Sequence, residues 1–187
     1  MTVLTEMSQY TGSGSAVALG MFDGVHIGHQ ALIRAAAEHA RAMGLDCVVC
    51  TFDINPLELL APERAPKRIL SPDENLDKFE QLGADYALVT HFTRAYAAQP
   101  PEDFLRDLVR GLRARVIVTG VNYTFGARGS GNAALLRSLQ ERYGYTADII
   151  PPVMDEEGMV SSTRIRRMLA AGDSARAEAL LRIRENG

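Results

Sequence analysis

Short apolar runs alternate with longer amphipathic segments along most of the chain. The apolar runs are rich in β-branched and small side chains, which predicts strands over residues 16–20, 47–52, 85–89, 115–120 and 146–150. Between and after them, apolar residues recur at helical spacing, which predicts helices over residues 32–43, 71–82, 101–112, 131–143, 161–171 and 174–184. Two of these helices carry clear end signals, a capping box at Ser71 and Glu74 and a glycine stop at Gly44.

This repeated strand–helix order predicts an α/β fold with a doubly wound parallel sheet. The chain shows no internal repeat and no Gly/Ser linker that would divide the sheet. Residues 55–71 and 122–132 are the longest stretches without regular periodicity. Because binding and catalytic residues concentrate on such loops, we expect functional side chains in both.

The composition restricts the class of protein. With 187 residues, 47% of them hydrophobic and 23% charged, the chain is long enough for one globular core and too apolar for gross disorder. A net charge of −3 argues against a dedicated nucleic-acid binder. No apolar stretch is long enough to span a membrane, and residues 1–10 lack the pattern of a signal peptide. We therefore expect no membrane association and a cytoplasmic location.

Residues 20–29, GMFDGVHIGH, follow the first predicted strand directly and precede the first helix. In doubly wound sheets this turn binds phosphates, because free backbone N–H groups and the helix dipole point at the ligand. Its three glycines allow close approach, and His26 and His29 could converge on one phosphate. Neither a P-loop nor a GxGxxG motif is present. Two other interpretations stay open. The histidines could form a metal site with Asp23, although no further ligands lie nearby in the sequence. Alternatively, both histidines could cap the helix and have no catalytic role.

Residues 160–166, VSSTRIR, form the second informative segment. Serine and threonine at the start of a helix are ordinary caps, so the segment is compatible with a capped amphipathic helix alone. Arg164 and Arg166, however, lie near the helix N-terminus, where cations oppose the helix dipole unless an anion is present. The two arginines therefore favour a bound phosphate.

Together the two segments resemble the adenylyltransferase module of prokaryotic FAD synthetases, in the HxGH nucleotidylyltransferase superfamily. The first carries the HxGH motif and the second the (I/V)SSTxIR element. Residues 51–56 (TFDINP), 120–126 (GVNYTFG) and 151–152 (PP) fit the family pattern in the same order, so the resemblance spans residues 15–182. The chain departs from the family's (D/E)PHP element, with Ile54 in place of the first proline and Asn55 in place of the histidine.

The resemblance implies a Rossmann-like HxGH domain over residues 15–187 after an extension of residues 1–14. It also implies FMN adenylyltransferase activity, in which ATP and FMN give FAD and pyrophosphate with the help of Mg²⁺. The implied catalytic residues are His26, His29, Asn122, Ser162 and Arg166. The implied ATP contacts are Gly20, Phe22, Asp23, Gly28, Ser161 and Thr163. Candidate flavin contacts, some chosen only by their place in the chain, are Asn55, Pro56, Asn122, Tyr123, Phe125 and Arg128. No residue is assigned as a metal ligand.

Family members usually continue into a riboflavin kinase module through a Leu-Leu-Gly-Arg-Pro-like junction, which residues 180–184 reach. We therefore expect no riboflavin kinase activity and a separate riboflavin kinase as the source of FMN. The oligomeric state stays open. One alternative is a related enzyme with another phosphorylated acceptor, such as a cytidylyltransferase or a phosphopantetheine adenylyltransferase. Another is a catalytically silent protein that binds a flavin or a nucleotide.

The remaining candidates for chemistry are interpreted as structural. Cys47 and Cys50 have CxxC spacing, but in a strand such positions point to opposite faces, so we expect them to be packing residues. We expect His39, on a helix, and His91, at a strand end, to have structural roles as well.

Overall fold

A computed structural model of the chain describes residues 1–183. Its main sheet has six parallel strands in the spatial order β1-β4-β3-β2-β5-β6. The strands are β1 (Thr2–Leu4), β2 (Ser15–Leu19), β3 (Asp46–Phe52), β4 (Tyr86–Thr90), β5 (Ala114–Gly120) and β6 (Thr146–Ile150). All five predicted strands are present, and the prediction of a parallel α/β fold is confirmed.

Helices cover both faces of this sheet. They are α1 (Ile27–Met43), α2 (Pro56–Leu60), α3 (Pro72–Gln81), α4 (Arg94–Ala97), α5 (Pro101–Gly111), α6 (Ala133–Tyr143), α7 (Ser162–Ala170) and α8 (Ser174–Leu181). The predicted end signals are confirmed, because Ser71 and Glu74 form a capping box and Gly44 closes α1 with φ 64°. The last predicted helix was expected to reach Arg184, which lies outside the described residues.

Two apolar clusters fill the space between the sheet and its helices. Ala18 and Val49 point to the face covered by α1 and α3, whereas Val17 and Val48 point to the face covered by α5 and α6. The strands are apolar on both faces for this reason, as parallel strands usually are. A smaller cluster, which includes Ile165 and Met168, joins α7 to α8.

The two cysteines follow the same alternation along β3. Cys47 is buried in the cluster on the α1 side, and Cys50 packs against the cluster on the opposite face. Both are free thiols. The expectation that they point to opposite faces is therefore confirmed.

The chain order places a topological switch point at β2. After β2 the chain proceeds to β3 on one side, while β5 occupies the other side of β2. Ligands of open α/β sheets bind outside the carboxyl ends of the strands at such a point. The loop between β2 and α1, which carries the HxGH motif, lies there.

Several elements had no prediction. Thr2–Leu4, within the segment expected as an extension, pairs with β4 and forms one edge of the sheet. The boundary at residue 15 stays a prediction. Two short helices, α2 and α4, follow the carboxyl ends of β3 and β4. A small antiparallel hairpin, β7 (Met154–Asp155) and β8 (Gly158–Met159), precedes α7.

Candidate active site

The loop after β2 turns sharply before α1 begins. Phe22 and Val25 adopt positive φ angles of 48° and 44°, a region that bulky side chains rarely occupy. Both side chains are fully buried, and the N–H of Gly24 between them donates to Asn75 Oδ1 at 3.1 Å. Packing thus holds a strained turn in place, as is common where a loop positions functional groups.

His26 and His29 lie at the start of α1 with their rings stacked. The ring centroids are 3.7 Å apart and the planes are inclined by 20°. His26 caps the helix, because its Nδ1 accepts the backbone N–H of His29 at 3.3 Å. The proton of its neutral form therefore lies on Nε2. Nδ1 of His29 is buried and has no hydrogen-bond partner in residues 1–183. Capping thus accounts for His26, whereas the ring of His29 packs against Phe22 and His26 and keeps an unpartnered Nδ1.

Both histidines are neutral at physiological pH. Burial lowers the pKa of His26 from 6.5 to about 4, helped by the charge of Arg166 and opposed by that of Asp23. Burial lowers the pKa of His29 well below its usual value, and the charges of His26 and Arg166 add to this effect. A neutral imidazole still donates one N–H. The pair can therefore bind an oxyanion through oriented N–H groups without carrying a full positive charge.

The start of α7 lies beside this histidine pair. Ser161 caps the helix, accepting the N–H of Arg164 at 3.3 Å. The hydroxyl of Ser162 donates to the carbonyl oxygen of Asp23 at 3.1 Å. The loop after β2 and the N-terminus of α7 are thereby joined, although they are far apart in sequence. Thr163, the next residue, is exposed.

Arg164 and Arg166 both have partners within the protein, so a bound phosphate near them stays a prediction. Arg164 forms a bidentate pair with Asp155 at 2.7 and 2.6 Å and also contacts Glu157 at 3.0 Å. Arg166 pairs with Asp23 at 2.6 Å. Carboxylates of the protein therefore compensate both cations, and neither arginine by its position requires an anion.

A cleft of about 290 Å³, open to solvent, lies between the two motifs. It brings together eight of the residues expected to be catalytic or to contact ATP or flavin: Gly20, His26, Gly28, His29, Asn122, Tyr123, Ser161 and Ser162. The two prolines at 151 and 152 line it too. Nδ2 of Asn122 lies 3.8 Å from Sδ of Met159, on the hairpin that forms one wall. Arg166 and Thr163 do not line this cleft.

A second, narrower cavity adjoins the cleft, and Met21 lines both spaces. Phe22 and Asp23, expected beside ATP, line this cavity rather than the cleft. Asn55 and Phe52 contribute to the walls as well. The carboxyl ends of the strands therefore open into two adjacent spaces, one next to the histidines and one next to the loop after β3.

The other candidate flavin residues are dispersed. Asn55 has a local role as the cap of α2, because its Oδ1 accepts the N–H of Leu57 at 3.0 Å. Pro56, the first residue of α2, and Arg128, in a 3₁₀ turn, line neither space. Phe125 is buried against Phe104, with ring centroids 5.4 Å apart, and lines neither space. The structure therefore does not bring Phe125 and Arg128 to the cleft.

Comparison with known proteins places this geometry in a family. The model of the family described as FAD synthetase matches residues 8–164, which are most of the chain and include the first motif and the start of the second. The chain belongs to the FAD synthetase family.

Curated relatives in this FAD synthetase family carry two activities in their names. A bifunctional riboflavin kinase/FMN adenylyltransferase of Escherichia coli K12 is 35% identical over 176 residues, which cover 94% of this chain and 56% of that protein. A putative bifunctional riboflavin kinase/FMN adenylyltransferase of Geobacillus thermodenitrificans is 36% identical over 90% of this chain and 89% of its own length. The chain thus spans about half the length of the E. coli relative.

Among solved structures, the chain resembles the crystal structure of a protein described as a macrolide-efflux protein from Streptococcus pneumoniae. The TM-score is 0.83 and the identity is 33%, with 96% of this chain and 60% of that chain covered. In residues 1–183, no helix is long and apolar enough to cross a membrane.

Two parts of the site in this FAD synthetase family member were not predicted from the sequence. The hairpin of β7 and β8 contributes Met159 to the wall of the cleft. The signal in the sequence for this hairpin was the acidic turn that ends at Gly158. Pro66 and Arg68 line the second cavity, but they lie in an irregular segment without a pattern that would identify them. The roles of the individual site residues stay predictions.

Proposed function

We propose that this chain transfers the AMP group of ATP to FMN, forming FAD and releasing pyrophosphate. The observation that carries the proposal is the cleft in which His26, His29 and the N-terminus of α7 lie together, in a member of the FAD synthetase family. That arrangement supplies oriented N–H and O–H donors around one space, which is what a reacting polyphosphate requires.

In this reaction an oxygen of the FMN phosphate attacks the α-phosphorus of ATP. One P–O bond forms, the bond from the α-phosphorus to the bridging oxygen breaks, and the electron pair leaves with pyrophosphate. No proton has to be removed from a phosphate that is already ionised, so the histidines have no need to act as bases. Their lowered pKa values suit them instead to donate hydrogen bonds to the developing charge.

The phosphates would lie against the first turns of two helices. The N–H groups at the start of α7 and the hydroxyl of Ser161, which accepts in its cap and keeps its hydrogen free, offer donors on one side of the cleft. His26 and His29 offer donors from the start of α1. Asn122, which lines the same cleft, is placed to add a donor close to the reacting phosphates. Catalysis then rests on positioning and on charge stabilisation.

Magnesium would arrive with the nucleotide. Residues 1–183 hold no group of three or more His, Cys, Asp or Glu side chains that could bind a metal ion. A hard cation of this kind is commonly held by substrate phosphates with few protein ligands. We therefore propose magnesium-bound ATP as the substrate. We also propose that the reaction takes place in the cytoplasm.

The two spaces beside Met21 suit two different substrates. Apolar side chains of Val121, Ile150 and Met159 line the cleft and can contact the adenosine end of ATP. The second cavity has an apolar wall that includes Phe52, with Asn55 and Arg68 as polar neighbours. We propose that FMN approaches from this side, so that its phosphate meets the α-phosphate near Met21.

The test is the formation of FAD by the purified chain. The chain is incubated with ATP, Mg²⁺ and FMN, and the flavins are separated by chromatography; a parallel reaction contains riboflavin instead of FMN. FAD from FMN and no phosphorylated product from riboflavin would support the proposal, including a separate riboflavin kinase as the source of FMN. Bound ATP without any FAD would indicate a silent binding protein. Consumption of CTP with a small phosphorylated alcohol would indicate a related transferase.

We expect His29→Ala to lower kcat by about 100-fold or more while the fold stays intact, because an oriented donor to the transition state is lost. Circular dichroism and thermal unfolding of the variant check the fold. An unchanged kcat would remove His29 from the mechanism.

A further inference from the structure

Asp23 joins three separate segments of the chain at the edge of the candidate site. Its Oδ2 accepts from Nη2 of Arg166 on α7 at 2.6 Å. Its Oδ1 accepts the backbone N–H of Ile69 at 3.0 Å and, more weakly, that of Leu70 at 3.5 Å. Its carbonyl oxygen accepts the hydroxyl of Ser162. The carboxylate is mostly buried, with 13% of the side chain exposed, so each of these contacts lies in surroundings of low polarity.

Arg166 is held at two of its three guanidinium nitrogens. Besides the contact with Asp23, its Nε donates to the carbonyl oxygen of Lys67 at 2.7 Å. The third nitrogen, Nη1, has no hydrogen-bond partner within the described residues 1–183. A guanidinium is planar and rigid, so fixing two nitrogens also fixes the direction of the third.

The position of Arg166 relative to the histidines gives this orientation a use. Arg166 lies four residues after Ser162 on α7, on the same face of the helix. Ser162 lines the cleft together with His26 and His29. The charge of the guanidinium also lowers the pKa values of both histidines. Asp23 itself does not line the cleft that contains the histidines. Arg166 does not line the cleft either, but it follows Ser162, which does, by one turn of α7. Asp23 contacts both Arg166 and Ser162 and so joins the guanidinium to the helix start that borders the cleft.

We infer that Asp23 is a positioning residue, which orients Arg166 so that Nη1 donates to the phosphates of ATP, and is not itself a ligand of the nucleotide or of magnesium. The inference rests on the proposed function. A magnesium ion would have to displace the guanidinium and two backbone N–H groups that already occupy the carboxylate oxygens. Breaking a buried ion pair in this way is costly, because it leaves a charge uncompensated.

A double-mutant cycle separates an indirect role of Asp23 from a direct one. Asp23→Asn keeps an oxygen for the N–H of Ile69 but removes the charge that holds Arg166, and Arg166→Ala removes the group being held. We expect Asp23→Asn to weaken binding of magnesium-ATP and to lower kcat/KM about 10-fold or more. In the Arg166→Ala background, the same change should alter both quantities by less than about twofold.

Asp46→Asn is the matched control. Asp46 accepts the hydroxyl of Tyr10 at 2.7 Å at the amino end of β3, away from the cleft. The Asp46→Asn variant should keep its affinity for magnesium-ATP and its kcat/KM within about twofold of wild type. Thermal unfolding of every variant shows how much protein is folded under assay conditions. A loss with Asp46→Asn as large as that with Asp23→Asn would overturn the inference.

The cycle is measured both by calorimetric binding of magnesium-ATP and by kcat/KM, so it can be interpreted even if the wild-type chain makes no FAD. Absence of FAD from the wild type contradicts the proposed function, whereas the binding cycle alone decides the role of Asp23. Equal losses in both backgrounds would identify Asp23 as an independent ligand, and a higher required Mg²⁺ concentration would identify it as a metal ligand. Tighter binding by Asp23→Asn would mean that Asp23 restrains Arg166 from the phosphates. Each of these three outcomes overturns the inference.

If Asp23→Asn does not fold, Arg166→Lys tests the same geometry from the other side. Lysine keeps the charge but cannot hold Asp23 and the carbonyl of Lys67 while it directs a further donor at fixed geometry. We expect at least 10-fold weaker binding of magnesium-ATP by the folded variant. Wild-type affinity would overturn the inference.

Discussion

Replacing His26 tests whether this residue is buried in its neutral form. The pKa of His26 is lowered from 6.5 to about 4, mainly by burial. A protonated imidazole is therefore favoured in the unfolded chain, which binds more protons than the folded chain below about pH 6.5. The contribution of His26 to stability is complete above that pH and is lost as the pH falls toward 4.

The size of this effect follows from the two pKa values. At pH 5 a shift from 6.5 to about 4 changes the folding equilibrium by a factor of about 30, or about 2 kcal/mol. Because a typical domain has a free energy of unfolding of roughly 5–15 kcal/mol, a loss of this size is readily measured.

The variant His26→Asn removes the titrating imidazole of His26 but keeps a side chain that can cap α1. Asparagine is a good N-cap and can accept the backbone N–H of His29 as the imidazole does, but it does not titrate. We expect the difference in unfolding free energy between pH 8 and pH 5 to be about 2 kcal/mol smaller in the variant than in wild type. Urea unfolding at both pH values measures it, with equal m-values as the control for equal exposed surface. An identical pH dependence in the two proteins would refute the argument.

Three further changes test other parts of the structure. Arg164→Ala removes the ion pair that holds the hairpin beside the cleft, so the KM for ATP should rise about 3- to 10-fold while kcat stays within twofold. An unchanged KM in steady-state assays would contradict this. Asn55→Ala removes the α2 cap and should lower the free energy of unfolding, measured in urea, by about 1 kcal/mol. Asn55→Asp keeps a capping side chain and should cause no such loss. Equal losses in the two variants would exclude the cap as the cause. Burial raises the pKa of the Cys47 thiol to about 12, so mass spectrometry should find no adduct on Cys47 after Ellman's reagent acts on the native protein; rapid modification would refute its burial.

The sequence was most informative where the signal was local. The capping box at Ser71 and Glu74 and the glycine after Met43 are short patterns whose physical cause lies within one helical turn, and both were predicted correctly. The five strands of the buried sheet could also be found, because continuous apolar runs are what two covered faces require. The α2 cap was an available local signal that was overlooked, since Asn55 and Glu58 form a capping box around Pro56.

The edge strand Thr2–Leu4 had no comparable signal. It is three residues long, and two of the three are exposed. Its place in the sheet depends on pairing with β4, more than eighty residues further along the chain, through a register that joins Val3 to Ala87. Short edge strands lack the apolar pattern that two covered faces impose, so the pairing could be seen only in three dimensions.

The two arginines of α7 show why charge patterns near a helix end are hard to interpret from sequence. The dipole argument was physically sound, because a cation near a helix N-terminus does need compensation. The partners of the two arginines, however, are Asp155, nine residues before Arg164, and Asp23, 143 residues before Arg166. A sequence does not reveal which carboxylate will fold against which cation. With both charges compensated, the proposed binding of a polyphosphate would depend mainly on oriented N–H and O–H groups, among them the N–H groups of Arg166. Positioning of those groups, by a strained turn and by the contacts of Asp23, then matters more than net positive charge.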